Sequence, residues 1–96
     1  MGIEQIIKEK REQILAIARK HGAYNIKIFG SVSRGEANAN SDVDFLVEVG
    51  EGRTAFFPGG LVADLEELLG RKVDVITKEG LNKYIRKQVL KEAVPL

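Results

Sequence analysis

The chain has 96 residues and contains neither cysteine nor tryptophan, with one histidine, one methionine and two prolines. Without cysteine the protein has no disulfide, no thiol nucleophile and no zinc site built on thiolates. The one histidine, His21, cannot make a histidine metal cluster by itself. These absences exclude thiol chemistry together with the cysteine- and histidine-based metal sites.

Long hydrophobic runs are also missing. The longest uncharged apolar runs have four or five residues, whereas a helix needs about 20 apolar residues to cross a bilayer. The opening stretch, MGIEQIIKEKREQ, is too charged for a signal peptide. We therefore expect a cytoplasmic protein without a membrane partner.

Neither sign of charge dominates, because 15 basic and 14 acidic side chains give a net charge of +1. Proteins that bind nucleic acid tightly without sequence preference usually carry a strongly basic face. Here only a modest basic patch occurs, near Lys83, Arg86, Lys87 and Lys91, and we interpret it as the solvated face of a helix. No strong nucleic-acid binding is expected.

Hydrophobic periodicity divides the chain into alternating helices and strands, with no repeat and no long linker, so we predict one domain over residues 1–96. Apolar residues three and four apart predict amphipathic helices, and strict alternation predicts strands. The predicted order is a helix over 3–20, strands over 24–29 and 42–49, a helix over 61–69, a strand over 72–77 and a helix over 81–92.

Glycines mark several of the predicted ends. His21-Gly22 ends the first helix, and we interpret His21 as a C-terminal cap without a catalytic role. Gly70 ends the helix over 61–69. The stretch 50–60, GEGRTAFFPGG, has four glycines and a proline and is predicted to be a loop. Its Phe56 and Phe57 either cover a site as a lid or anchor the loop to the core, and anchoring is the commoner role.

Two aspartates lie at the start of the second predicted strand. Asp42 and Asp44 are two residues apart, so both side chains leave the same face of the strand, with Cα atoms roughly 6.5–7 Å apart. At an effective dielectric constant near 20, two unit charges at that distance repel by roughly 2.5 kcal/mol. Something must compensate this repulsion.

Asp74 is a third candidate, on a separate predicted strand among apolar residues. Taken alone it is simply an exposed strand residue, but if it shares the face of the other two aspartates, three carboxylates converge. Mg²⁺ takes a few protein oxygens of this kind and completes its shell with water and substrate phosphates. Two such ions about 3.5–4 Å apart can hold the attacking and leaving oxygens of a phosphoryl displacement.

A Gly-Ser pair, Gly30-Ser31, ends the first predicted strand. Glycine lets the backbone approach a phosphate closely, N–H groups opening a helix bind its oxygens, and the Ser31 hydroxyl is a further donor. Arg34 either pairs with a triphosphate or holds the turn. Alone, Gly-Ser is a common strand terminator, and SDVD can form an Asx-type turn capped by Ser41.

The combination of these features is far less common than each one alone. Chance places five specified residues at set spacing only about once in 10⁶ start positions, and the five here are Gly30, Ser31, Gly35, Asp42 and Asp44. We therefore favour a site that binds phosphate and metal together.

The stretch GSVSRGEANANSDVDFLV resembles the nucleotidyltransferase signature of the DNA polymerase beta superfamily, in which Gly-Ser precedes Asp-x-Asp and a third carboxylate follows on a later strand. It is most similar to the minimal nucleotidyltransferase (MNT) family, which includes the MntA-type antitoxins of HEPN/MNT toxin–antitoxin pairs, and the similarity runs through nearly the whole chain. The resemblance implies an α/β fold: a polymerase-beta-like palm with a small mixed, mostly three-stranded sheet, helices packed on one face and the carboxylates on the other.

The resemblance also implies roles for individual residues. Nucleotide-binding roles fall to Gly30, Ser31 and Arg34, and Mg²⁺-binding catalytic roles fall to Asp42, Asp44 and Asp74. Asp74 would in addition help to activate the incoming hydroxyl group. The implied cofactor is Mg²⁺, as two ions, and the implied substrate is ATP.

By the same resemblance the protein is an antitoxin that transfers AMP from ATP to a tyrosine hydroxyl of a HEPN-domain ribonuclease toxin. Two alternatives stay open. One is an antitoxin that neutralises its partner by contact and whose site is idle. The other is a small-molecule enzyme of the aminoglycoside type, although such enzymes carry a further domain for the acceptor. The sequence leaves the oligomeric state open, a homo-oligomer included.

Overall fold

The computed structural model describes residues 2–38, 40–51 and 57–96. Along the chain lie α1 (Ile3–Glu9), α2 (Arg11–Lys20), β1 (Ala23–Phe29), β2 (Val43–Val49), α3 (Gly59–Leu69), β3 (Val73–Thr77), α4 (Lys83–Glu92) and β4 (Val94–Pro95). The predicted alternation of helices and strands is confirmed. Within the described ranges, no helix has both the length and the apolar character that crossing a membrane requires.

The strands form one mixed sheet in the order β3-β2-β1-β4. β1 pairs antiparallel with both β2 and β4, and β2 pairs parallel with β3, so α3 serves as the crossover that a parallel pair needs. The sequence pattern does not predict β4, because this strand has two residues and one of them is Pro95. Proline lacks the N–H that an inner strand must donate, and β4 lies at the edge of the sheet. The sheet therefore has four strands rather than mostly three.

The larger core lies between the sheet and α1, α2 and α3. Alternate residues of β2 enter it, and Val43, Phe45 and Val47 are each at most 1% exposed. Each of the three helices buries one face in this core, and the buried helix residues are Ile3, Ile7, Ile14, Ala18, Leu61, Leu65 and Leu69. The predicted α/β class is confirmed by this packing, and these three helices occupy one face as expected.

A second, smaller core lies on the opposite face. Phe29 of β1 and Leu46 of β2 pack there against Leu81 and Val89, which places α4 on the face that carries the carboxylates. The difference from the expected one-sided packing has a simple cause, because Leu46 and Phe29 are apolar positions on that face and α4 buries them. The predicted stripe of the last helix is shorter than expected, since Ile85 is 49% exposed.

The helix predicted over 3–20 is two helices that meet at Lys10. Lys10 has φ −100° and ψ 14°, outside the helical range, and its Nζ donates to the Leu68 carbonyl at 3.1 Å. This contact satisfies a carbonyl in the last turn of α3, where intrahelical partners run out. The break lets Ile7 of α1 and Ile14 of α2 both reach the core.

The predicted ends of the helices are largely confirmed. His21 is the C-cap of α2, and its Nε2 lies 2.7 Å from Asp64 Oδ2 of α3. Gly70 ends α3 in the left-handed conformation, with φ 65°. α3 begins at Gly59, inside the stretch predicted as loop. Phe57 packs partly buried against the larger core, as expected of an anchor, and Phe56 lies outside the described residues.

Candidate active site

Asp44 and Asp74 are direct neighbours in the sheet. The parallel pairing of β2 with β3 puts Asp44 opposite Asp74, and the antiparallel pairing of β1 with β2 puts Phe29 opposite Asp44. Paired residues of adjacent strands point to the same face of a sheet. The two carboxylates therefore share the face opposite the larger core, as the third-carboxylate prediction requires.

Asp42 joins them from just outside the strand. It lies one residue before the start of β2 and is exposed. Burial raises the pKa of Asp44, the negative charges of Asp74 and Asp42 raise it further, and Arg34 opposes the increase. The three aspartates predicted from the sequence are thus close enough for two of them to change the protonation of the third.

The donor chemistry at this cluster fits a hard divalent cation. All three side chains are carboxylates, the oxygen ligands that Mg²⁺ takes, and their mutual repulsion is the kind that a cation relieves. The predicted convergence of three carboxylates into a ready metal site is not seen, because no group of three histidine, aspartate or glutamate side chains among residues 2–38, 40–51 and 57–96 is arranged to hold a metal ion. The fit of the three aspartates to Mg²⁺ is one of ligand type and charge.

Gly30 brings the turn after β1 directly against Asp44. It has φ +73°, and a Cβ atom at this position would lie 3.4 Å from Asp44 Cγ and would collide with one of its oxygens. Any other residue at position 30 is therefore disfavoured for two reasons: the backbone is left-handed, and the side chain would collide with the Asp44 carboxylate. The absence of a Cβ atom is what lets the Gly-Ser turn and the aspartates occupy one site.

The turn over residues 30–35 presents backbone donors. Its internal bonds run from the N–H of Arg34 to the Gly30 carbonyl at 3.2 Å and from the N–H of Glu36 to the Ser31 carbonyl at 2.9 Å. By contrast, the N–H groups of residues 31–33 have no backbone acceptor in the part of the chain that the structure describes. Such donors, like those in the first turn of a helix, suit anionic oxygens.

The two serines of the turn differ in their contacts. The Ser33 hydroxyl donates to the Gly30 carbonyl at 2.9 Å and so closes the turn. The Ser31 side chain is partly exposed and is the hydroxyl next to Gly30. Ser31, the serine predicted to bind phosphate, is thus partly exposed, whereas the Ser33 hydroxyl stabilises the turn.

Arg34 is held between two glutamates. Its Nε donates to both oxygens of Glu36 at 3.1 and 3.3 Å, and its Nη1 donates to Glu92 Oε2 at 3.1 Å. The hydrogen bond to Glu36 is the main cause that raises the pKa of Arg34. Of the two roles considered from the sequence, holding the turn is the one these contacts support directly, and they tie the turn to the end of α4.

No sequence pattern indicated Glu92 or the residues that anchor the strand starts. Glu66 of α3 accepts the N–H of Val73 at 2.9 Å, next to Asp74, and Arg71 donates to two carbonyls before Asp42. The partners in these contacts come from separate elements. Their only sequence signal was polar character at the ends of a helix.

Proteins similar in sequence define the family. Residues 7–96 match the family described as the nucleotidyltransferase domain. The chain is 41% identical over 88 residues to a candidate protein adenylyltransferase of Methanocaldococcus jannaschii, covering 92% of this chain and 95% of that protein. It is 38% identical over 92 residues to the protein adenylyltransferase MntA of Thermococcus cleftensis, covering 96% and 90%.

Solved structures agree with the sequence matches. A candidate minimal nucleotidyltransferase has a TM-score of 0.86 and 45% identity, covering 100% of this chain and 97% of that chain. A crystal structure of a toxin–antitoxin with AMP-PNP has a TM-score of 0.74 at 23% identity, covering 88% and 69%, and shows a shared fold. From its sequence matches and its fold, the chain belongs to the nucleotidyltransferase family, in the minimal form.

Proposed function

We propose that this nucleotidyltransferase is an antitoxin that transfers AMP from ATP to a tyrosine hydroxyl of a HEPN ribonuclease toxin. The observation that carries the proposal is the pairing of Asp44 with Asp74 beside the Gly30 turn, which would join the proposed cation site to the proposed phosphate site. Relatives named as protein adenylyltransferases support a protein acceptor. Fold neighbours that are MntA–HepT toxin–antitoxin structures support a toxin as the partner.

The three aspartates are the proposed metal ligands. Asp42 and Asp44 would hold Mg²⁺, and Asp74 would complete the set from the neighbouring strand. Bound Mg²⁺ supplies charge neutralisation and alignment of the attacking and leaving oxygens. Burial, followed by the negative charges of Asp74 and Asp42, raises the pKa of Asp44, and a bound cation would favour its charged form.

The Gly-Ser turn is the proposed phosphate site. The backbone N–H groups of residues 31–33 and the Ser31 hydroxyl would donate to the phosphate oxygens of ATP, close to the Asp44 carboxylate that Gly30 admits. Arg34 would contribute positive charge from its place between Glu36 and Glu92. The backbone donors on one side, and Mg²⁺ held by the carboxylates on the other, would together fix the direction of the triphosphate.

Asp74 is the proposed proton acceptor. It is exposed, and β3 is an edge strand, so a tyrosine carried by another protein can approach it. The tyrosine oxygen would form a bond to the α-phosphorus as the bond to the bridging oxygen breaks, and pyrophosphate would leave. The tyrosine proton would pass to the Asp74 carboxylate. An open site of this kind suits a protein acceptor.

Intact-mass spectrometry of the toxin tests the proposal. The toxin is incubated with this protein, ATP and Mg²⁺, and the double variant Asp42→Asn, Asp44→Asn is the control. A mass gain of one or more AMP units with the native protein alone is the expected result, with peptide mapping to a tyrosine. Neutralisation in a stable complex without any mass gain would overturn the transfer and leave an antitoxin that works by contact.

A further inference from the structure

Asp42 differs from the other two aspartates in what holds it. Asp44 and Asp74 lie inside paired strands, so the hydrogen bonds of the sheet fix their backbone positions. Asp42 precedes β2 and is exposed. Its position relative to the other two therefore depends on contacts outside the sheet.

Arg71 supplies such contacts on the amino-terminal side of Asp42. Its Nη1 donates to the Asn38 carbonyl at 2.7 Å and to the Ser41 carbonyl at 3.3 Å. Arg71 is partly buried, and charge-assisted hydrogen bonds are stronger than those between neutral groups. One guanidinium nitrogen thus holds the residue directly before Asp42.

The residues that Arg71 holds are also bonded to one another. The Ser41 N–H donates to the Asn38 carbonyl at 3.1 Å, and the Ser41 Oγ accepts the Asn38 N–H at 2.9 Å. The Asn40 N–H donates to Asn38 Oδ1 at 2.8 Å. Because these bonds link Asn38 to Ser41 in both directions, a donor to their carbonyls fixes these two residues together.

The carboxyl-terminal side of Asp42 is tied to the same short stretch. The Val43 N–H donates to the Lys72 carbonyl at 3.0 Å, and Lys72 follows Arg71 directly. Asp74 lies two residues after Lys72, inside β3. Both flanks of Asp42 are therefore attached to the connection that leads into Asp74.

We propose that Arg71 is a positioning residue, which fixes Asp42 relative to Asp44 and Asp74 so that the three carboxylates can bind Mg²⁺ together. The inference rests on the metal role of Asp42 in the proposed function. Arg71 itself touches neither nucleotide nor acceptor in this role. Its removal loosens the Asp42 segment while the paired strands keep Asp44 and Asp74 in place.

Direct metal binding tests this role without nucleotide or toxin. Mn²⁺ is titrated calorimetrically into the native protein, Arg71→Gln, Arg71→Lys and the matched control Arg86→Gln, whose side chain is exposed on α4. Residues that orient metal ligands typically account for roughly 10–100-fold in metal affinity, and we expect a loss of that size for Arg71→Gln. Arg71→Lys should recover part of it, and Arg86→Gln should bind as the native protein does.

A second background separates positioning from a general structural role. In Asp42→Asn protein, Arg71→Gln should cause no further loss of Mn²⁺ affinity, because the ligand it positions is already gone. An undiminished loss in that background, or native affinity in Arg71→Gln alone, would overturn the inference.

Amide hydrogen exchange tests the role of Arg71 independently of metal binding, so that a failure of this inference can be distinguished from a failure of the proposed function. Arg71→Gln should exchange faster at Ser41 and Val43, and Arg86→Gln should not. If the native protein took up no Mn²⁺, the metal part of the proposed function would fail. Unchanged exchange at Ser41 and Val43 would then show that Arg71 does not hold this segment.

Discussion

On the face of the sheet under α1, α2 and α3, β2 buries Val43, Phe45 and Val47, whereas on the other face the same strand carries Asp44 beside Asp74. Burial of a large apolar side chain contributes about 1.5–3 kcal/mol. Asp44 acts in the opposite direction, since its burial and then the negative charges of Asp74 and Asp42 disfavour its charged form and raise its pKa. The same strand thus stabilises the fold through its buried apolar residues and loses part of that stability through Asp44.

Substitutions of the aspartates on one face and of the buried residues on the other should therefore separate activity from stability. Changes to the aspartates of the carboxylate face should remove transfer and leave the fold intact. Changes on the helix-covered face should remove the fold.

Asp44→Asn should lower AMP transfer by at least about 10³-fold, a change of roughly 4 kcal/mol in the activation barrier, because the variant loses a charged metal ligand. Steady-state rates at saturating ATP and Mg²⁺ measure the effect. Glu48→Gln is the matched control, since Glu48 lies on the same face of β2 and pairs with Asn25. Transfer within tenfold of native for Asp44→Asn would contradict the assigned role.

Phe45→Ala should destabilise the fold by about 3–5 kcal/mol, because Phe45 is 0% exposed and its removal leaves a cavity in the larger core. Urea unfolding followed by circular dichroism measures the loss. Phe45→Leu, which keeps most of the volume, should cost less than the alanine change. A loss for Phe45→Ala under about 1 kcal/mol would show that this face does not carry the stability assigned to it.

Gly30→Ala should reduce transfer by roughly 10-fold or more, a barrier change of about 1.4 kcal/mol, because the new Cβ atom displaces the Asp44 carboxylate. The backbone strain adds a stability loss of about 1–2 kcal/mol. Gly35→Ala is a close control, with φ +72° and nothing within 4 Å of its Cβ position. Equal transfer losses in the two variants would show that strain, and not contact with Asp44, explains the effect.

The smallest effect is on the pH dependence of stability. The pKa of Asp44 is raised by burial and by Asp74 and Asp42, so the folded state holds this proton more tightly than the unfolded state does. In the absence of metal, this contribution lowers the stability as pH rises from the ordinary aspartate pKa, near 4, through the raised value. Thermal unfolding in EDTA across that range measures it.

Asp64 provides the opposing slope in the same experiment. Its hydrogen bond to His21 lowers the pKa of Asp64, so its contribution to stability is present at higher pH and lost as pH falls through the lowered value. The difference between native protein and Asp44→Asn isolates Asp44. That difference should decrease with pH, and an increase would reverse the sign of the assigned interaction.

Some elements followed directly from local pattern. The alternation in YNIKIF and DVDFLVEV predicted β1 and β2 within one residue at each end, and Gly70 marked the end of α3. β4 could not be predicted, since two residues contain no period and their pairing with β1 depends on where the chain returns. The break at Lys10 was hidden for a similar reason, because Lys10 contacts Leu68 of α3.

Some residues of the candidate site were likewise predicted from local sequence, and others were found only in the structure. Asp42 and Asp44 were identified as a pair because residues two apart on the predicted strand share a face, although Asp42 lies one residue before β2. Gly30-Ser31 was identified because a glycine ends a strand. The role of Arg34 was left between two choices, since its partner Glu92 is 58 residues away in sequence. Arg71 was not identified, because its acceptors are backbone carbonyls and carbonyls have no sequence signature.

Residues a few positions apart were enough to predict the periodic elements, the turn after β1 and the two-residue spacing of Asp42 and Asp44. The folded chain was needed to show that Asp74 lies opposite Asp44, that α4 packs on the carboxylate face and that Arg71 holds the approach to Asp42. These features depend on strand register and on contacts across 30 or more residues. Packing of the whole chain sets such contacts, and no local period encodes them.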